Sequence, residues 1–208
     1  MNSPLNPGQS RDGVFTYQAQ LIFNVPEMAD ANKGAPTMIK LVEPSEKYLQ
    51  SYMEAYDEYI ANGVKTYAFD DARAYNIFEK YDNYRHERDL APNRVGSDFY
   101  WLVDEAKDYF IGEISIRHRL TDALERYGGH IGYGVRFSEW NKGYGTLMLQ
   151  LALAKAKALG ISTALITCDD ENLGSAKVME NNGFVLWDKV VNIVDGRPVT
   201  TRRYTKVL

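Results

Sequence analysis

Residues 129–146 read Gly129-His130-Ile131-Gly132-Tyr133-Gly134-Val135-Arg136-Phe137-Ser138-Glu139-Trp140-Asn141-Lys142-Gly143-Tyr144-Gly145-Thr146, and an apolar run continues to Leu159. Ile131, Tyr133 and Val135 stand at alternate positions, the period of a half-buried strand. Gly132 and Gly134 fall on the other face beside His130, which leaves that face almost bare of side chains. Glycines weaken a strand, and a pair on one face marks a place where a backbone or a ligand comes close. Gly143 and Gly145 then open a helix that runs to Leu159. Its first amides have no intrahelical partner and carry partial positive charge, so the turn is a natural seat for an anion. Lys142 and Arg136 add positive charge. Charge-assisted bonds contribute roughly 1.5–3 kcal/mol each. Three or four of them approach the roughly 8 kcal/mol of a micromolar ligand.

A Gly-x-Gly turn is a weak signal alone, and a merely tight turn is the plain alternative. Neither common nucleotide motif fits. Met148 stands where the dinucleotide fingerprint needs its third glycine, and no Gly-Lys-Ser/Thr follows. The stretch resembles instead the GNAT superfamily of acetyl-CoA-dependent N-acetyltransferases. Its Gln/Arg-x-x-Gly-x-Gly/Ala motif is echoed by Trp140-Asn141-Lys142-Gly143-Tyr144-Gly145. Asn172-Leu173-Gly174-Ser175-Ala176 through Asn182-Gly183-Phe184 looks like the family's Asn-x-x-Ala helix ending in Gly-Phe, and 163–168 looks like the strand that splays from the first. The resemblance spans roughly 100–184.

The resemblance implies an α/β (α+β) fold, with a mixed, mostly antiparallel central sheet flanked by helices and a splayed strand pair at the cofactor cleft. It implies an N-acetyltransferase that moves an acetyl group from acetyl-CoA to a primary amine by direct attack. Pantetheine would then run along the backbone of Ile131, Tyr133 and Val135. The phosphates would meet Arg136, Asn141, Lys142, Gly143, Tyr144, Gly145 and Thr146, with Asn172 and Ser175 near the cofactor. Three positions depart from the family pattern. Trp140 replaces a polar or charged phosphate contact, and Asn141 replaces a frequent glycine. Met179 stands where many members carry a tyrosine that protonates the departing thiolate. A thiol of about pKa 8.5 can leave without that acid. Met179 and Trp140 also motivate a second reading, a non-catalytic acyl-CoA-binding sensor or interaction protein on the same fold.

Direct attack needs a neutral amine. At pH 7 that costs about 4.6 kcal/mol for a lysine-like group and about 1.4 for an α-amine. His130 shares the bare face and titrates near neutrality, and Glu113 is the best carboxylate on a neighbouring strand; these are the candidate catalytic bases. For each, a strand-end polar group bonded to backbone or water is the plainer role. His118, between Arg117 and Arg119, is disfavoured by adjacent cations. Cys168 ends an apolar strand without a histidine near in sequence to activate it. The three histidines lack metal-ligand spacing, so no metal is expected.

Charged content of 25%, hydrophobic content of 45% and a net charge of −4 are ordinary for a globular chain and give no support to nucleic-acid or membrane binding. A single cysteine suggests a reducing compartment, with cytoplasm the default. The expected partner is a small-molecule or peptide amine, and a homodimer is left open. Four of the seven prolines lie within 1–37, an extension that reads as a leader or, through alternating Phe15, Tyr17, Ala19, Leu21 and Phe23, as an added strand. The domain proper spans 38–208. Within it the pattern predicts helices over 45–61, 73–89, 143–159 and 173–181. Strands are expected over 99–103, 109–117, 162–168, 184–194 and 198–207, the last two as a hairpin. The helix from 143 is apolar on most sides and so expected to be largely buried, and 120–129 reads as a loop.

Overall fold

The computed structural model describes residues 38–64, 69–194 and 196–208, so the alternating island at 15–23 lies outside the described residues. The glycine-marked segment forms strand β4 (Ile131–Val135). It is the edge of an antiparallel sheet ordered β1 (Ile39–Val42), β2 (Ser97–Asp104), β3 (Tyr109–Arg117) and β4. A second sheet is ordered β5 (Thr163–Asp169), β7 (Arg197–Val207), β6 (Val185–Val194), with β6 and β7 paired as the expected hairpin. The sheets meet at one seam. Gly129 bridges to Ile166, and the His130 N–H donates to the Leu165 carbonyl at 2.7 Å. Beyond that seam β4 and β5 share no ladder, so the strands splay.

Period-2 alternation sorts the side chains of the first sheet into two cores. Ile114, Ile131, Tyr133 and Val135 face one way, with Met148 and Leu149 of α4 (Tyr144–Ala158) and Met179 of α5 (Leu173–Asn181). Phe99, Trp101 and Phe110 face the other way, under α1 (Leu49–Ala61) and α2 (Ile77–Arg85). Every residue of β2 and β4 is buried, as a sheet covered on both faces requires. Tyr52 stacks on Trp101 at 4.8 Å and meets Phe110 edge-on at 5.1 Å, contacts of about 0.5–1.5 kcal/mol each beyond their burial.

Several element boundaries differ from the sequence reading for local reasons. The 45–61 helix starts as a 3-10 turn over Glu46–Tyr48, and Ser45 makes no side-chain cap. The 73–89 helix shortens to α2 because Asn76 caps it, accepting from the amides of Phe78 and Glu79. A short helix, α3 (Asp122–Arg126), stands within the expected 120–129 loop, capped by Thr121 through Leu124 N–H. Helix α4 buries one face only, at Gly145, Met148, Leu149, Ala152 and Ala156, while Leu151 and Leu159 are exposed. Expecting it to be largely buried is therefore corrected: alanines supply the apolar count on its outer side. Among the described residues no helix is long and apolar enough to cross a membrane.

Gly129 makes the seam. Its φ is +63°, and a Cβ there would lie 2.4 Å from the Leu165 carbonyl oxygen. Gly129→Ala is therefore expected to destabilise the fold by roughly 2 kcal/mol or more, read as a lower urea midpoint. A variant as stable as wild type would show that the close approach at Gly129 is not required for the fold.

Candidate active site

The cleft lies where β4 and β5 diverge, lined by Tyr127, Gly132, Tyr133, Thr167, Cys168 and Ser175 among others. The backbone of β4 explains why it has an open side. Arg117 N–H donates to His130 and Arg136 N–H donates to Ile111, both at 2.7 Å. In an antiparallel ladder these are the narrow pairs, so Gly132 and Gly134 also bond toward β3. The peptide groups of Ile131, Tyr133 and Val135 consequently point away from β3, along the gap. The Val135 carbonyl is already taken by Trp140 Nε1 at 2.7 Å and by the Tyr59 hydroxyl.

After β4 the chain makes a 3-10 turn over Phe137–Glu139 and enters α4 through Gly143, which has φ +81° and no side-chain cap. Asn141 takes φ +62°, a left-handed conformation that asparagine tolerates better than most residues. Asn141, Lys142 and Gly143 are exposed. The helix mouth is open. Lys142 stands beside it, with Nζ 3.1 Å from Glu139 Oε2. Gly145 serves packing: a Cβ there would press on Val178 at 3.2 Å. Trp140, in place of the family's polar residue, braces the strand end, edge-on to Tyr59 and bonded to Val135.

Arg136 is a correction. Its guanidinium is buried and committed to α1, with Nε 2.6 Å from Glu58 Oε1 and Nη1 3.0 Å from Ser51 Oγ. It lies over the Tyr109 ring at 4.3 Å. That cation fastens α1 to the end of β4 and is not presented at the α4 turn. Glu58, although partly desolvated, is held below the usual carboxylate range by this pairing.

His130 also has other work. Its Nδ1 accepts the Leu165 N–H at 3.1 Å, which leaves the proton of a neutral ring on Nε2 and no free lone pair. Burial, then the Arg117 charge, lowers its pKa. The ring therefore clasps the two strands instead of standing free as a base. Glu113 sits on the α1/α2 face opposite Gly134, 3% exposed. Its Oε2 accepts the Tyr81 hydroxyl at 2.5 Å and Trp101 Nε1 at 3.0 Å. Burial pushes its carboxyl up to about 7, against the opposing pull of those donors and of Lys80.

On the far side, Asn172 caps α5 by accepting the Ser175 N–H at 2.9 Å, and the Ser175 and Tyr133 hydroxyls meet at 2.7 Å. This pair ties β4 to α5 across the cleft. Met179 is fully buried in the core. Burial pushes the Cys168 thiol up to about 12, which suits an inert core residue. His118 lies 3.6 Å from Asp98 and 3.9 Å from Glu87.

A family model described as the acetyltransferase (GNAT) domain matches residues 41–185. The chain belongs to the GNAT acetyltransferases. Solved GNAT structures share the fold at low identity. The Microcin C7 self-immunity acetyltransferase MccE, in complex with acetyl-CoA and AMP, is 17% identical at a TM-score of 0.61, over 84% of this chain and 94% of that one. RimL, a ribosomal L7/L12 α-N-protein acetyltransferase in complex with coenzyme A, is 15% identical at 0.60, over 84% and 96%. The ribosomal-protein-S5-alanine acetyltransferase from Vibrio fischeri is 15% identical at 0.56, over 81% and 91%. A comparison with curated proteins finds no match.

The Glu113 environment carries a signed stability consequence. Its folded value of about 7 exceeds the ordinary 4.5, so the protonated form favours the fold. That contribution is complete below about 4.5 and is lost as pH rises through about 7. Between those limits this GNAT protein should lose up to roughly 3 kcal/mol relative to its Glu113→Gln variant, measured by urea titration. Parallel pH curves for the two proteins would refute it. His130→Ala, by contrast, should cost about 1–2 kcal/mol through the orphaned Leu165 amide and leave the pH profile of turnover unmoved; a shifted profile would restore His130 as a base.

Proposed function

We propose that this GNAT protein moves an acetyl group from acetyl-CoA to a primary amine by direct attack. The observation that carries the reading is the continuity of an open strand edge with an uncapped helix mouth: the outward peptide groups of Ile131 and Tyr133 lead toward Gly143, where α4 begins without a side-chain cap. A pyrophosphate fits the amides of Tyr144, Gly145 and Thr146, with Asn141 and Lys142 at the rim. The pantetheine amides fit the edge at Tyr133 and at the Val135 N–H, as a neighbouring strand would. MccE and RimL, whose structures hold acetyl-CoA and coenzyme A, support the choice of co-substrate. The thioester then ends in the cleft near Tyr133, Asn172 and Ser175.

The acceptor enters on the face where β4 carries only Gly132 and Gly134. Its nitrogen lone pair forms a bond to the thioester carbon, the carbon–sulfur bond breaks, and the thiolate departs with that electron pair. The proton shed by the nitrogen goes to Glu113, whose value near 7 suits a base at neutral pH. Met179 donates no proton, so the thiolate leaves without an acid from that position. Fully buried Met179 also favours the second reading, an acyl-CoA-binding sensor without turnover. The acceptor is a small-molecule or peptide amine, the working domain is 38–208, and the compartment proposed is the cytoplasm.

Calorimetry with acetyl-CoA, paired with a pooled-amine assay read by mass spectrometry, tests the reading. Gly143→Asp adds like charge in open space and should weaken acetyl-CoA about tenfold or more; unchanged affinity would put the phosphates elsewhere. Glu113→Gln should lower kcat about a hundredfold and abolish its rise through neutral pH. Tight acyl-CoA binding with no coenzyme A release from any amine would favour the sensor instead.

A further inference from the structure

We infer that the carboxylate of Asp169 is the docking group for the positively charged amine of the acceptor, a reading that rests on the acetyl transfer proposed above. Asp169 ends β5 and lines the cleft with Gly132, Tyr133 and Ser175. Along β5, Ala164, Ile166 and Cys168 turn into the core shared with α4 and α5. By alternation Asp169 takes the opposite face. Thr167 shares it, and its hydroxyl accepts the Gly128 N–H at 2.8 Å. This is the side on which β4 presents only glycine.

The carboxylate is short of a partner. Its Oδ1 is buried and makes no hydrogen bond, and a buried polar group left in that state is costly. Nearby cations are committed to other acids. Lys189 and Arg202 both close on Asp170 Oδ1, at 2.7 and 2.6 Å, and Arg203 closes on Asp188 at 2.5 Å. Burial, then the Glu171 charge, pushes the Asp169 carboxyl up to about 6, which leaves it mainly ionised at neutral pH. Among the described residues that line the cleft there is no lysine or arginine to meet it.

A primary ammonium is a fitting partner: positive charge and three N–H groups on one atom. The docked ammonium first gives one proton to water. The neutral amine retains two N–H donors, so the contact persists into the attack, and the second proton, shed as the carbon–nitrogen bond forms, goes to Glu113. After transfer the product amide has one N–H and no charge. The contact is then at its weakest, which favours release. Asp169 thus selects and positions the acceptor, while Glu113 takes the proton shed on attack.

The test uses the full chain and two independent readouts. n-Butylamine, charged at neutral pH, is titrated into wild-type protein without co-substrate while the Asp169 carboxyl carbon is followed by NMR, with 1-butanol as the neutral control. A saturable shift with the amine alone is expected; no shift, or the same shift with butanol, overturns the assignment. Asp169→Asn keeps the shape and removes the charge. Its acetyl-CoA affinity should stay within about twofold, while KM for the best amine of the pooled assay rises about tenfold or more at nearly constant kcat. A fall in kcat at constant KM, or unchanged kinetics, would overturn it. Should wild type fail to bind acetyl-CoA, the transfer reading falls while the butylamine titration still decides whether Asp169 docks a cation.

Discussion

One contact organises this molecule: the seam at which Gly129 and His130 meet Leu165 and Ile166. The left-handed glycine allows the backbones to close, the His130 amide takes the Leu165 carbonyl, and the His130 ring takes the Leu165 amide. With both peptide groups of Leu165's junction satisfied, β4 and β5 are held together at one end. Beyond it neither strand has the other as a ladder partner. The gap that follows is a geometric result of pinning two twisted sheets at a single point.

The remaining features keep that gap open and oriented. Trp140 and Tyr59 both donate to the Val135 carbonyl, which terminates β4 and sends the chain into the α4 turn. Arg136 turns the other way and ties α1 to the strand end through Glu58 and Ser51. Across the gap, the Tyr133 and Ser175 hydroxyls bind β4 to α5. A helix wall, a strand edge and a helix mouth are thereby fixed relative to one another by buried polar contacts, where a lost partner leaves a desolvated group behind.

Much of this was legible in the chain. Strand 109–117 and helix 173–181 coincide with β3 and α5, because strong alternation and an Asn172 cap leave little choice. The bare face of β4 and the glycine turn follow directly from residue type. The face of α1 was less legible: the sequence suggests Leu49, Tyr52, Met53, Tyr56 and Ile60, but Ser51, Tyr52, Ala55 and Tyr59 are buried and Ile60 is 62% exposed. Small and hydroxyl-bearing residues sit inside because Arg136 and the Phe110 amide need Ser51, a tertiary demand that hydropathy does not encode. The partners of Arg136 and His130 were hidden for the same reason: each is claimed by a residue some 35 to 85 positions away. Thr121, followed by acidic Asp122 and Glu125, was a readable start signal for α3. Asp169 had no such signal, since only the fold shows that the neighbouring cations go to Asp170.

The two sheets also divide the polypeptide by order of synthesis. The first draws all its strands from residues 39–135, the second all of its own from 163–207. Among the described residues no ladder interleaves the halves, so each sheet is paired from consecutive segments, which keeps the sequence separation of those pairings low. What joins the halves is side-chain packing: Ile114, Ile131 and Tyr133 of the first sheet share one apolar core with Ala164, Ile166 and Tyr204 of the second.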